Sequence, residues 1–198
     1  SKIILEFVSS NPTGPLHIGH GRWAVMGHAI YSILNYTSHS IATEFYINDA
    51  GNQIDLFRRS VQALRDDVAI PEDGYHGNYV KTLAESDEDP LEKTLSLQKE
   101  TLSRLGVEFD VWFSELTLHN EGKVTAMIEW LNTKNLSYSK DDALWFKSTD
   151  FGDDKDRVLI KSDGKYTYFL VDIAYHFEKI KRADKLVNIW GADHHGYV

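Results

Sequence analysis

Short apolar runs that alternate with helical patterns limit this chain to folds built on parallel strands. The run KIILEFVS at 2–9 predicts a buried strand, and a second strand is predicted over 42–49. Helical patterns follow each strand, at about 16–36 and 50–69. Because strand–helix–strand–helix order is the βαβ pattern, we predict an α/β fold with a parallel sheet.

The first predicted helix follows a loop rich in proline and glycine over 9–16. Pro15 suits the first helical turn, where its missing N–H costs nothing. The apolar face of this helix is predicted to consist of Ala24, Val25, Ala29, Ile33 and Leu34.

The middle of the chain is acidic and turn-rich, which predicts an inserted α+β subdomain over 70–150 between two parts of the sheet, 1–69 and 151–198. Asp163-Gly164 predicts a hairpin. The sheet is expected to resume with a helix over 172–183 and a strand over 186–190. Both ends of the sequence look cut, so we expect a fragment of a longer protein.

Composition excludes several classes of protein. No apolar run approaches the roughly 20 residues of a membrane span, and no signal peptide is evident. The chain has no cysteine, which excludes disulfides and thiolate metal sites and fits a reducing, cytoplasmic compartment. A net charge of −9 argues against nucleic-acid binding driven by phosphate contacts in this part of the protein.

Two histidines, His17 and His20, lie where the first strand leads into the first helix. At this spacing both side chains share one helix face, beside the N–H groups and the positive dipole end that favour an anion. Such a place suits a triphosphate, and Gly19 and Gly21 leave room for a flat ligand. The alternative is an ordinary capped surface helix that contains histidines.

Two carboxylates interrupt apolar segments. Glu6 stands inside IILEFV, and it needs a cation if that strand is buried. An internal ion pair or an edge strand would explain it equally well. Asp172 is a candidate helix N-cap, and with Tyr168 four residues earlier it is also a candidate ligand group. Two carboxylates in one pocket would bind a guanidinium well.

Two more turns follow predicted strands. In WGADHHGY, Gly191 would allow close backbone approach and Asp193 could accept hydrogen bonds from ribose hydroxyls. The run Asp193-His194-His195 also suggests metal ligands, but three adjacent residues are weak support for a metal site. In YINDAGNQI, Asn48, Asp49 and Gly51 fit a capped turn or a site at the same sheet edge.

Taken together, these segments resemble bacterial arginyl-tRNA synthetases of class I. The blocks LEFVSSNPTGPLHIGHGR, FYINDAGNQI, YHGNYV, DDKDRVLIKSDGKYTYFLVDIAYH and WGADHHGYV match in family order across nearly the whole chain. The resemblance implies a doubly wound, Rossmann-like sheet of the HUP nucleotide-binding type. It makes 1–69 and 151–198 the two halves of the catalytic domain, the second truncated.

The resemblance also implies an activity and its site. Arginine would be activated by ATP, accompanied by Mg²⁺, and then transferred to tRNA(Arg). His17 and His20 would be the catalytic residues. The residues that would bind ATP are His17, Gly19, His20, Gly191 and Asp193. Those that would bind arginine are Glu6, Ser9, Asn11, His20, Tyr168, Asp172 and His194. No residue is assigned to a metal.

Two departures from the family pattern limit this reading. The lysine-containing KMSKS-type loop is absent, and so are the domains that bind tRNA at its elbow and anticodon. The 198 residues alone are therefore expected to be inactive. The alternatives are another class I synthetase or HIGH-type nucleotidyltransferase, a metal-dependent phosphoesterase built on Asp193-His194-His195, and a non-catalytic binding module.

Overall fold

The computed structural model describes residues 1–191, and its contacts divide the chain into two compact units. Unit 1 contains Ser1–Ser114 together with the segment that begins at Ala183, and unit 2 contains Glu115–Arg182.

Seven strands and seven α-helices are present in the described residues. The strands are β1 (Lys2–Glu6), β2 (Ser40–Ile47), β3 (Val111–Ser114), β4 (Ser137–Lys140), β5 (Ala143–Phe146), β6 (Arg157–Ile160) and β7 (Lys185–Asn188). The helices are α1 (Ile18–Tyr36), α2 (Asn52–Arg65), α3 (Asn78–Ala84), α4 (Pro90–Arg104), α5 (Glu115–Asn120), α6 (Lys123–Thr133) and α7 (Tyr168–Ile180). A 3₁₀ turn covers Ser148–Phe151. Within residues 1–191, no helix is long and apolar enough to cross a membrane.

Unit 1 is built on a four-stranded parallel sheet in the order β3-β2-β1-β7, which confirms the predicted α/β fold. The chain moves outward from β1 through β2 to β3, and β7 then pairs on the opposite side of β1. The order therefore reverses between β1 and β7. In open parallel sheets, ligands bind beyond the carboxyl ends of the strands at such a reversal.

Helix α1 is predicted correctly in position, but its predicted apolar face is only partly right: Ala24 is buried and Leu34 is half-buried. Only Ala24 and Gly27 are buried, whereas Val25 and Ile33 are 64% and 65% exposed. The reason is the close approach of α1 to the sheet at Gly27, where an added Cβ would lie 2.2 Å from the ring of Phe7. Trp23, Ile30 and Tyr31 pack against the core beside Ala24 and Gly27, and the prediction did not include them.

The core of unit 1 packs the central strands against α1 and the end of α4. Its buried members are Leu5, Phe7, Val8, Ala24, Phe45, Ile47, Leu102 and Val107. The residues that follow β1 are thus part of the core, which fixes the start of the loop that leads to α1.

Unit 2 holds an antiparallel sheet in the order β4-β5-β6 with α5, α6 and α7. The predicted hairpin is present, because Gly164 adopts a left-handed φ of 79° and Ile160 bridges to Tyr166 in antiparallel fashion. Helix α7 begins at Tyr168 rather than at the predicted 172, since Thr167 provides its N-cap.

The compact units divide the chain at other positions than the predicted segments 1–69, 70–150 and 151–198. Strand β3, predicted inside the inserted segment, pairs with β2. Helix α7, predicted in the second catalytic half, contacts α5 and α6. The three segments stay a prediction about where a subdomain interrupts the catalytic domain.

Candidate active site

A strained turn follows β1. Val8 and Ser9 have left-handed φ angles of 69° and 45°. Such a conformation is unusual for any residue other than glycine and costs on the order of 1–3 kcal/mol at a β-branched valine. The Ser9 hydroxyl donates to Glu6 Oε1 at 3.0 Å and accepts from the amide of Tyr46 at 3.1 Å. The turn therefore holds the Ser9 side chain against Glu6.

Glu6 lies where the sequence predicts, at the carboxyl end of a buried strand. It is 5% exposed, and β1 has a neighbouring strand on each side. An edge strand with Glu6 in water is therefore wrong. In the parallel register Glu6 faces Glu44, which is 0% exposed, so two buried carboxylates share one face of the sheet. Sequence reasoning missed Glu44, although its place in the apolar run ATEFYI is the same signal.

The loop after Ser9 is tied to α2. The Asn11 amide donates to Gln53 Oε1 at 2.9 Å, and Gln53 belongs to the first turn of α2. Gly51, with a φ of 87°, stands at the N-cap of that helix without a side-chain cap. The glutamine was not predicted, because an exposed glutamine on a helix carries no pattern in the sequence.

His17 and His20 form a reciprocal cap at the start of α1. His17 is the N-cap rather than a first-turn residue, and its Nδ1 accepts from the amide of Gly19 at 3.1 Å. The Nδ1 of His20 accepts from the amide of His17 at 3.1 Å. The two rings stack with centroids 3.8 Å apart, and His20 meets the edge of Trp23. The helix-terminal N–H groups were predicted to favour an anion, but the Gly19 amide is already hydrogen-bonded to His17 and is not free to bind one.

This cap fixes which nitrogen of each ring carries hydrogen. An Nδ1 that accepts from a backbone amide bears no proton, so each neutral imidazole carries its hydrogen on Nε2. Desolvation lowers the pKa of His20 from 6.5 to about 4, with a further contribution from neighbouring His17. His20 is therefore neutral near pH 7. The arrangement gives two N–H donors side by side.

Gly19 is required by the cap itself. A Cβ at this position would lie 2.9 Å from Cε1 of the His17 ring. At Gly21 an added Cβ would have no neighbour within 4 Å among the described residues. The first glycine allows the imidazole to fold over the backbone, and the second leaves open space beside the helix.

A cavity of about 310 Å³ opens beside the histidines. It is lined by Ser9, Ser10, Asn11, Thr13, Gly14, Pro15, His20 and Trp23. Three residues predicted to contact arginine, Ser9, Asn11 and His20, therefore share one cavity. Trp23 and Thr13 were not predicted, and their types alone give no signal.

Tyr168 and Asp172 lie one turn apart on α7 in unit 2. Thr167 is the N-cap, so the capping role considered for Asp172 is wrong. Tyr168 is the first residue of the helix and is 60% exposed. The backbone carbonyl of Asp172 lies 2.9 Å from Nδ1 of His176. The i, i+4 spacing places both side chains on one face of α7.

The last predicted site lies at the end of the described chain. Gly191 is the third residue after the end of β7, and β7 is the strand beyond the reversal of the sheet. Asp193, His194 and His195 lie outside the described residues. Within residues 1–191, no three His, Asp or Glu side chains are grouped so that they could hold a metal ion.

Comparison with known proteins points to one family. The family of class I tRNA synthetases (R), catalytic domain, matches residues 1–76 and 55–198. The arginine–tRNA ligase of Bacillus licheniformis is 45% identical over 224 aligned residues, which cover 100% of this chain and 40% of the relative. That of Dehalococcoides mccartyi is 43% identical and covers 100% of this chain and 41% of the relative.

A solved structure gives the same result. A crystal structure assigned to an arginyl-tRNA synthetase of Campylobacter jejuni superposes with a TM-score of 0.90 at 37% identity, covering 100% of this chain and 49% of that one. The chain thus spans about 40% of the length of the curated relatives that it matches. Since the family match covers the whole sequence, the chain belongs to the class I arginyl-tRNA synthetases, within their catalytic domain.

Proposed function

We propose that this chain is the catalytic core of an arginine–tRNA ligase that first forms arginyl-adenylate. The observation that carries the proposal is the stacked pair His17 and His20, which is neutral at His20 and lies beside the cavity that contains Ser9 and Asn11. The histidine pair and the cavity both lie just after β1, where the strand order of the sheet reverses. Parallel α/β sheets bind nucleotides and other ligands at such a reversal.

The proposed reaction has two steps. A carboxylate oxygen of arginine attacks the α-phosphorus of ATP, the bond to the bridging oxygen breaks, and pyrophosphate leaves. A hydroxyl of the terminal adenosine of tRNA(Arg) then attacks the arginyl carbonyl, and AMP leaves. Negative charge grows on the phosphate oxygens in the first step, and the Nε2–H groups of His17 and His20 are the donors proposed to stabilise it. Positioning and charge stabilisation dominate such transfers, so no general base is assigned.

The proposed ATP site contains His17, Gly19, His20, Gly191 and Asp193. Gly19 would lie beneath the adenine, and Gly191 and Asp193 would face the nucleoside. Mg²⁺ is expected to arrive with the ATP phosphates. We thus assign the phosphates to the N-terminus of α1 and the nucleoside to the residues that follow β7.

The proposed arginine site follows the family resemblance. Its members are Glu6, Ser9, Asn11, His20, Tyr168, Asp172 and His194. Support comes from the Ser9–Glu6 hydrogen bond, from the cavity, and from the shared helix face of Tyr168 and Asp172. We propose that Tyr168, Asp172 and Glu6 hold the guanidinium. The remaining partner, tRNA(Arg), is expected to bind mostly through parts of the protein outside this chain, and the proposed location is the cytoplasm.

Arginine-dependent exchange of labelled pyrophosphate into ATP tests the proposal on the full-length protein. Exchange with arginine and with tRNA(Arg) present, and none with lysine or with citrulline in place of arginine, is the expected result. Exchange driven by another amino acid would assign the chain to a different class I synthetase. Hydrolysis of a phosphoester that depends on added Mn²⁺ or Zn²⁺, with no exchange, would favour the phosphoesterase alternative.

A further inference from the structure

A buried glutamine on α4 reaches the loop that precedes His17. Gln98 is 2% exposed, and its Nε2 donates to the carbonyl of Asn11 at 3.0 Å and to that of Gly14 at 2.8 Å. The two hydrogens of one amide group thus join two points of the loop to a helix more than 80 residues away in sequence.

The orientation of this amide follows from its partners. Both partners are carbonyl oxygens, which accept only, so the NH₂ group must face them. The other side of the amide, Oε1, is buried and has no hydrogen-bond partner among the described residues. A buried acceptor left unpaired is costly, and an apolar side chain of the same size would avoid that cost. Gln98 therefore holds the loop through two N–H hydrogen bonds, although its Oε1 stays unpaired.

The loop depends on such side-chain contacts. Pro12 and Pro15 have no N–H, and within residues 1–191 the backbone of 10–16 makes no hydrogen bond to other backbone groups. Besides Gln98, Gln53 holds the Asn11 side chain, and the ring of Tyr79 lies against Gly14. The carbonyl of Gly14, the second anchor of Gln98, is three residues before His17.

We infer that Gln98 is a positioning residue for the His17–His20 pair: it fixes the loop over 11–14 and thereby the place of both imidazoles relative to the α-phosphorus. The inference rests on the function proposed above. Gln98 does not line the cavity that contains His20, so its effect passes through the loop. A misplacement of about 1 Å at a reacting group is enough to cost on the order of 10²-fold in rate.

The test compares Gln98→Met, Gln98→Glu and Thr94→Val in the full-length protein. Methionine keeps the length of the side chain and removes both donors. The control removes a buried hydroxyl from the same helix, since Thr94 is 3% exposed and donates only to the carbonyl of Pro90 within α4. Single-turnover formation of arginyl-adenylate gives the rate, and its burst amplitude gives the number of active sites.

We expect Gln98→Met to slow adenylate formation by about 10- to 100-fold with an unchanged burst amplitude, and Thr94→Val to leave the rate within about twofold. Gln98→Glu should form adenylate as slowly as Gln98→Met near pH 8, and it should recover part of the wild-type rate near pH 6. A protonated carboxyl can donate one hydrogen bond to these carbonyls, whereas a carboxylate cannot. A merely structural role would lower the burst amplitude in both Gln98 variants and would not produce this recovery.

Hydrogen exchange separates the inference from the proposed function. Gln98→Met should speed the hydrogen exchange of the backbone amides of His17, Gly19 and Gly21, which are hydrogen-bonded at the start of α1, by at least about tenfold, whether or not the protein activates arginine. If wild type forms no adenylate but hydrogen exchange is faster in Gln98→Met than in wild type, the proposed function fails and the anchoring of the loop by Gln98 stands. A wild-type rate with unchanged exchange in Gln98→Met would overturn the inference.

Discussion

His17 accepts a hydrogen bond from the Gly19 amide and His20 accepts one from the His17 amide, so this stacked pair of rings both caps α1 and presents two N–H donors. Because of this double role, an alanine variant loses both the cap of α1 and the imidazole N–H donor. Serine is a good N-cap, and glutamine at the third helical position completes a capping box. His17→Ser and His20→Gln therefore remove the imidazole while they keep an acceptor for the cap.

The first prediction is that the imidazoles matter for the rate and the cap for stability. In pyrophosphate exchange, His17→Ser and His20→Gln should each lose about 10²–10³ in rate, the usual loss for one charge-stabilising donor. Arginine affinity should be nearly unchanged in His17→Ser, whereas His20 also belongs to the proposed arginine site. His17→Ala should be equally slow and also lose about 1 kcal/mol of unfolding free energy relative to His17→Ser. Exchange at the wild-type rate in both cap-preserving variants would show that the rings do not act on the phosphate.

The second prediction concerns stability against pH. The folded pKa of His20 is about 4, below its ordinary 6.5, so the unfolded chain binds more protons between these values. Stability therefore does not depend on this group above about pH 6.5 and falls as the pH drops from 6.5 towards 4. His20→Gln removes the titrating group and keeps the cap.

Urea unfolding at several pH values checks this prediction. Between pH 6.5 and 4.5 the wild type should lose more stability than His20→Gln, and the two slopes should agree between pH 7 and 8. Parallel curves over the whole range would contradict a buried, neutral His20. His17 is the neighbouring titratable group, and it is present in both proteins.

The third prediction compares two glycines of α1. An added Cβ at Gly27 would meet the buried Phe7 ring at 2.2 Å, whereas at Gly21 it would meet nothing within 4 Å. Gly27→Ala should destabilise the protein by about 1–3 kcal/mol through overpacking. Gly21→Ala should be neutral or stabilise by up to about 1 kcal/mol, because alanine has the better helix propensity. Equal unfolding midpoints in urea for the two variants would argue against the close contact of α1 with β1.

The order of the elements could be predicted because each carries local signals. Apolar runs mark β1 and β2, and Asp163-Gly164 marks the hairpin of unit 2. The buried face of α1 was predicted only in part: Ala24 lies on it, but a glycine forms its closest contact and the predicted residues Val25 and Ile33 are exposed. Helix α7 starts earlier than predicted because its N-cap is Thr167 rather than Asp172, and the Thr167 hydroxyl accepts a hydrogen bond from the amide of Leu170.

The site was predictable to the extent that its residues break a pattern. Glu6 interrupts an apolar strand, and His17 and His20 follow a loop rich in glycine and proline, so both stand out. Gln53 and Gln98 break no pattern, because a glutamine on a helix is ordinary. Their contacts with Asn11 and Gly14 join residues 42 or more positions apart, and only the tertiary structure reveals such pairs.

The last prediction concerns the choice of arginine. The family resemblance assigns Glu6 and Asp172 to the guanidinium of arginine. A guanidinium has paired N–H donors that can bind two carboxylates, and an ammonium group lacks this planar geometry. Glu6→Gln and Asp172→Asn keep the size of each side chain and remove its charge. Each should weaken arginine binding by about 2–5 kcal/mol, the typical loss for one partner of a buried charge pair. ATP binding should change much less.

Asp156 provides a matched control for this experiment. It is a carboxylate of unit 2 that accepts from Tyr138 and from Thr149, contacts that belong to the structure of the antiparallel sheet. Asp156→Asn should lower stability and leave arginine affinity unchanged in calorimetric titration of the full-length protein. Citrulline has the shape of arginine without its charge, and it should bind wild type very weakly because both carboxylates would then lack a cation. If Glu6→Gln and Asp172→Asn both retain arginine affinity within twofold of the Asp156→Asn control, these carboxylates do not hold the guanidinium, and the pocket must use other groups.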